Sequence, residues 1–398
     1  MTEYDYSDEG EGAYIEIPDE PILMSDPDIT AEELAAVEAV LRSPGLSSGP
    51  VVEAFEKAFA AYVGRRYAIA VPSGTLGLYL ILAAYGLGPG DEVVAPSYSF
   101  RECAQAIAAI GATPAFADID YWSGCLSAAK AETKLSDKTR ALLAINANGH
   151  PADWTSLRTL ADKAGVPLIE DCSESIGSRY KDGLVGTFGD VSFFDFSQPS
   201  PLICGEGGMV VTDDVELAMA IRRRRSHALE ERGSVAVTAA PALQAKMSDI
   251  SAALGLVQLS RIAEILAKRR ATEATYAQQV QTFEGIKPPY VAPDVTELHW
   301  FLYVVHLGTR FDRSSRDAII EDLALEQVEA AAYSNPLHLQ RHYLDRGWRR
   351  GALFVTEKVA DRALALPFHS HLSEEQIEFI VATMKDASIN VGAGAAIY

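Results

Sequence analysis

Val191-Ser192-Phe193-Phe194-Asp195-Phe196-Ser197-Gln198-Pro199-Ser200-Pro201-Leu202-Ile203-Cys204-Gly205-Glu206-Gly207-Gly208 reads as a strand, a polar loop and a closing glycine turn. The apolar residues at its head suit a buried strand, and Gly-Glu-Gly-Gly punctuates its end. Pro199 and Pro201 hold the loop and the residues before them toward extended conformations. No lysine occurs anywhere between Lys181 and Lys246.

Outward from this segment, strand-like runs alternate with helical ones. Residues 67–71 form an apolar run ending in Pro72-Ser73-Gly74-Thr75, and an apolar helix follows over 76–85. Runs at 92–95, 113–117, 139–145 and 167–170 alternate with helical patterns at 102–110 and 155–164. This alternation predicts an α/β fold: a mostly parallel sheet with helices on both faces. Ligands of such sheets sit at the carboxyl ends of the strands. That rule gathers Ser73, the 97–100 loop, Asp171 and the Ser192 segment around one crevice. A long helix is expected over 247–268. The expected organisation is an acidic flexible tail (1–25), a large domain (26–275), a smaller α+β C-terminal domain (276–390) and a loose end (391–398).

The net charge of −21 argues against nucleic acid as a partner. Residues 1–41 hold thirteen Asp and Glu and no Lys or Arg, so much of that charge is local. No apolar run approaches the roughly 18–20 residues of a membrane span. The acidic N-terminus lacks the basic region of a secretory signal. Cys103, Cys125, Cys172 and Cys204 show neither close pairing nor metal-ligand spacing, and a reduced cytoplasmic protein is expected.

Several residues are able to carry chemistry, each with a plainer alternative. Ser73-Gly74-Thr75 opens a helix after a strand, which suits a phosphate cradle or a simple cap. Asp171 ends an apolar strand, where it either caps a helix or holds a protonated ring nitrogen. Phe100 lies in a loop, either stacking on a ring or packing in the core. His150 and His227 titrate near neutrality and are acid/base candidates, although buried structural histidines are commoner. The run Arg222 to Arg225 reads as a solvated helix face before it reads as an anion site.

In this order the segments resemble the DegT/StrS-type sugar aminotransferases over about residues 26 to 385. The resemblance is carried by residues 47–64, by the Ser-Gly-Thr loop at 72–78 and by the stacking loop at 90–100. Ile169-Glu170-Asp171-Cys172, Lys246-Met247-Ser248-Asp249-Ile250, Pro336-Leu337-His338 and Leu366-Pro367-Phe368-His369 continue it. It implies an aspartate-aminotransferase-like fold type I enzyme using pyridoxal phosphate (PLP). It also implies a homodimer with shared active sites, acting on nucleotide-linked keto sugars or cyclitols. Carried over, the pattern places Gly74, Thr75 and Ser192 on the cofactor phosphate, Phe100 on the ring and Asp171 on the pyridine nitrogen. Glu174 would stand near the ring hydroxyl, and Gln244 would reach the partner's phosphate.

The family's Schiff-base lysine follows the strand-end serine by five residues. Counting from Ser192 lands on Ser197, whereas counting back from Gly-Glu-Gly-Gly lands on Ser200, as if the segment were about three residues longer. Either way a serine replaces the lysine, and a hydroxyl cannot form an imine and is a weak base unless a neighbour activates it. Ordinary transamination is therefore not expected. Ser197, Ser200, His227 and His150 remain as catalytic candidates. Three readings stay open: dehydratase-like chemistry with noncovalently held PLP or pyridoxamine phosphate (PMP), a PLP-independent enzyme reusing the cleft, and an inert binding subunit.

Overall fold

The computed structural model describes residues 18, 20–47, 49–226, 242–280 and 285–395. Its centre is a seven-stranded sheet. The strands are β1 (Tyr67–Val71), β2 (Glu92–Pro96), β3 (Thr113–Ala117), β4 (Thr139–Ile145) and β5 (Leu168–Asp171). A short hairpin, β6 (Arg179–Tyr180) and β7 (Gly183–Leu184), precedes the last two, β8 (Val191–Asp195) and β9 (Gly208–Thr212). They lie side by side as β1-β9-β8-β5-β4-β2-β3. The run from β3 to β8 is parallel, and β9 is antiparallel to both β8 and β1.

Helices cover both faces, as the alternation requires. In this part they are α1 (Ala31–Leu41), α2 (Pro50–Val63), α3 (Gly74–Ala84), α4 (Arg101–Ala109), α5 (Ala128–Glu132), α6 (Trp154–Ala164), α7 (Val215–Arg225), α8 (Asp249–Ser260) and α9 (Ile262–Val280). On one face Leu78 and Ile81 of α3, Ile107 of α4 and Ile221 of α7 pack on Val71, Val191 and Phe193. On the other, Phe55 and Phe59 of α2 and Leu259 of α8 pack on Phe194, Met209 and Val211. Alternate residues of β8 thus feed opposite cores, the period-2 rule of a strand buried on both sides.

The smaller unit is a four-stranded antiparallel sheet in the order β10-β12-β14-β13. Its strands are β10 (Ile286–Lys287), β12 (Tyr303–Leu307), β13 (Ala331–Ala332) and β14 (Ala363–Leu366), while β11 (Val295–Glu297) pairs with the β6–β7 hairpin. The described α-helices of this part are α10 (Arg313–Leu325), α11 (Arg341–Leu344), α12 (Phe354–Ala360) and α13 (Glu374–Ala395). No single described helix is long and apolar enough to cross a membrane.

Some boundaries differ from expectation. The helix expected over 247–268 is two helices, α8 and α9, bent by 66°. Residue 275 falls inside α9, which bridges the two units: buried Arg269 donates to the carbonyls of Trp300, Phe301 and Phe368. The arm before residue 26 is tied down from Ile22, which is buried and bridges Val328 in the small unit. Helix α13 continues to Ala395, past the point where a loose end is expected.

Candidate active site

The carboxyl ends of β1, β5 and β8 meet the loop before α4 and residues 332–340 of the small unit around a cleft of about 610 Å³. Its polar floor is Asp171. The side chain is 3% exposed, accepts the Ser173 N–H at 2.9 Å and accepts the Cys103 thiol at 3.1 Å. Burial pushes this carboxyl above the usual range, although the two hydrogen bonds oppose the shift, and the nearby Asp195 carboxylate pushes the same way as burial. Phe100 stands at the rim, 41% exposed and edge-on to Phe301 at 5.9 Å. A flat ligand between Phe100 and Asp171 would find an aromatic face and a single buried acid.

The opposite end of the cleft is built at the start of α3. Ser73 caps this helix, its Oγ accepting the Leu76 N–H at 3.3 Å. The Gly-Glu-Gly-Gly turn lies directly against that cap. A Cβ on Gly208 would stand 2.7 Å from the Ser73 carbonyl carbon, so only glycine lets β9 pass there. Such helix starts attract anions. Here the anion is the chain's own: Asp195 Oδ2 accepts the Gly74 N–H at 2.7 Å. Its other oxygen, Oδ1, accepts the Ser197 N–H at 2.9 Å and the Ser197 hydroxyl.

This geometry corrects the sequence reading of the segment. Ser192 was expected to face the phosphate, but it is fully buried on the far face of the sheet. Its hydroxyl donates to Glu170 at 2.9 Å, with the Gly186 carbonyl at 3.0 Å. The strand's alternation turns Phe193 and Asp195 to the cleft instead. If Asp195 takes the serine's place, five further residues lead to Ser200. Counting back from Gly-Glu-Gly-Gly reaches the same residue, so the segment needs no extra length. Ser197 lines the cleft, whereas Ser200 is buried behind the loop, its N–H donating to the Ser197 carbonyl at 3.0 Å. No lysine is among the described residues lining the cleft.

The remaining candidates divide. Gly74 and Thr75 line the cleft as expected. Glu174 does not: its carboxylate is turned to the Asn148 N–H and the Tyr333 hydroxyl, and burial pushes it up to about 8. His150 is also outside. It is 2% exposed, with Nδ1 on the Pro151 carbonyl at 2.8 Å and Nε2 accepting the Ala292 N–H at 3.1 Å. Burial lowers its pKa, so it is a neutral structural histidine. His227 lies outside the described residues. Gln244 is exposed and does not line its own chain's cleft. Arg222 and Arg225 turn inward to Glu56 and the carbonyls of Ala68 and Ala70, so half of that basic run braces β1. Asp195, Glu206 and Tyr333 also stand on the cleft wall, and no local sequence signal marks them.

Comparison with known proteins agrees with this architecture. The DegT/DnrJ/EryC1/StrS aminotransferase family matches residues 27–385. The spore coat polysaccharide biosynthesis protein SpsC of Bacillus subtilis (strain 168) is 31% identical over 371 residues, 90% of this chain and 95% of that protein. The aminotransferase TlmJ of Streptoalloteichus hindustanus superposes with a TM-score of 0.84 at 32% identity, covering 95% of this chain and all (100%) of that one. Spr1654 of Streptococcus pneumoniae, solved in a PMP form, superposes with a TM-score of 0.89 at 25% identity, covering 94% of this chain and 100% of that one. With the matched region spanning both units and every strand around the cleft, the chain belongs to the DegT/DnrJ/EryC1/StrS aminotransferase family.

Proposed function

We propose that this chain is a biosynthetic member of the family that holds PLP or PMP without a covalent tether. Its substrate would be a sugar, cyclitol or other secondary-metabolite intermediate. The observation that carries this reading is Asp171, a buried carboxylate facing a cleft of about 610 Å³ whose rim bears the exposed Phe100 ring. The ring-facing residues fit such a cofactor. The phosphate-facing residues fit it less well, because Asp195 already accepts from Gly74.

A bound pyridoxal-type cofactor supplies an electron sink. Asp171 would hold the proton on the ring nitrogen, and Phe100 would cover one ring face. Ser197, donating to Asp195, holds a proton at Oγ inside the cleft. With no lysine on the described wall, both the tether and the amine proton shuttle of a transaminase are missing. In this reading the protein is a cytoplasmic homodimer, and Gln244 reaches toward the partner's cleft.

Titration of the purified protein with PLP and with PMP tests the proposal. A saturable absorbance change is expected, and borohydride treatment should leave the mass of the chain unchanged. Absence of any spectral change at millimolar cofactor would overturn it.

A further inference from the structure

We propose that Asp195 stands in for a ligand phosphate, so that the cleft favours ring ligands whose side arm carries no phosphate. This deepens, and rests on, the reading that a pyridoxal-type ring binds between Asp171 and Phe100.

The cradle at the start of α3 is the natural seat for a phosphate, since free N–H groups and the helix dipole converge there. In this chain its Gly74 N–H is engaged by Asp195 Oδ2 at 2.7 Å. The carboxylate is also held from behind, because Oδ1 accepts both the N–H and the hydroxyl of Ser197. Swinging it out of the cradle would break three hydrogen bonds. There is little slack on the helix side either: a Cβ on Gly74 would meet the Asp195 Cβ at 3.0 Å.

Charge around the cleft points the same way. Among the described lining residues the acids are Glu102, Asp171, Asp195 and Glu206, and the only Lys or Arg is Arg101. Arg101 is itself paired with Glu102 at 2.9 Å. A phosphate monoester brings about −1.5 to −2 charges at neutral pH. Placed at this helix start it would face a carboxylate at contact distance, with no unpaired described cation on the wall to neutralise it. A hydroxymethyl arm instead can donate to Asp195 in the same place. Pyridoxal and pyridoxamine are the probes of that chemistry.

The test compares wild type with Asp195→Ser and Asp195→Asn, each titrated with pyridoxamine, PMP and inorganic phosphate. Asn keeps an acceptor for the Gly74 N–H while removing the charge, which guards against a Ser variant that fails to fold. Wild type should bind pyridoxamine more tightly than PMP. Removing the charge should strengthen PMP binding by about tenfold or more and leave pyridoxamine within about threefold. Phosphate, which has no ring, probes the cradle alone: it should raise the melting temperature of the variants and not that of wild type. Tighter binding of PMP than pyridoxamine by wild type, or equal phosphate responses in wild type and variants, overturns the assignment. If no ring ligand binds any of the proteins while phosphate separates variants from wild type, the ring-ligand reading falls and the role of Asp195 stands.

Discussion

The two faces of the sheet at the ends of β5 and β8 handle the same chemistry in opposite ways. On the back face, Glu170 and Ser192 are register partners, both buried and both saturated. The Glu170 carboxylate accepts five donors: the N–H groups of Gly186, Phe188 and Gly189, the Ser192 hydroxyl and the Asn146 amide. On the cleft face, one residue further along β5 and three along β8, stand Asp171 and Asp195. Asp171 has two donors and a raised pKa, while Asp195 is fastened to a helix start and a loop. A fully hydrogen-bonded buried carboxylate organises a fold, whereas one left partly unsatisfied beside a cavity is available to a ligand.

The contrast breaks most severely at Glu170. Replacing it with alanine strands five donors in a dry core, and a loss of about 3–5 kcal/mol or outright failure to fold is expected in denaturant titrations. A loss below about 1 kcal/mol would show that the back face is not the structural one.

Glu174, between the two regimes, supplies a pH signature. Its folded-state pKa of about 8 lies above the ordinary glutamate value of 4.5, so the folded chain keeps a proton that the unfolded chain has released. That contribution is full below the unfolded value and is lost as pH rises through the folded one. Wild-type stability relative to Glu174→Gln should therefore fall between those limits, at up to about 1.4 kcal/mol per pH unit. Unfolding curves at several pH values check the slope, and parallel profiles would refute it.

On the cleft face, Asp171→Asn should weaken ring-ligand binding by about tenfold or more while the protein stays folded. It removes an acid that burial already disfavours, so unfolding midpoints should hold or rise. The smallest effect belongs to Ser192→Ala, about 1 kcal/mol of stability with ligand affinity unchanged. Reduced affinity there would return Ser192 to the phosphate site and undo the two-face comparison.

The reading of Ser192 failed for a physical reason. Facing of a strand is legible when apolar and polar residues alternate, but β8 is buried on both sides by separate cores. Val191, Phe193, Phe194 and Phe196 are apolar on either parity, so nothing in Val-Ser-Phe-Phe-Asp-Phe says which face meets the cleft. Similarly, Glu170 and Asp171 are adjacent acids with nothing in their identity to tell them apart. Only the pleat assigns one to the 186–189 loop behind and the other to the cavity in front. His150 was ambiguous in the same sense, being a titratable ring whose partners, the Pro151 carbonyl and the Ala292 N–H, include one contributed 142 positions away.

The chain's β/α alternation, its Ser-Gly-Thr helix start, its glycine turn and its missing lysine are local properties, and local propensity with period is enough to carry them from sequence to fold. The placement of the acids is not local. It depends on which residues of neighbouring strands share a face and on how closely Gly208 lets β9 approach α3. The sequence by itself determined that this segment carries no lysine. The tertiary structure alone decided that a carboxylate, Asp195, fills the helix start where the resemblance had placed a phosphate.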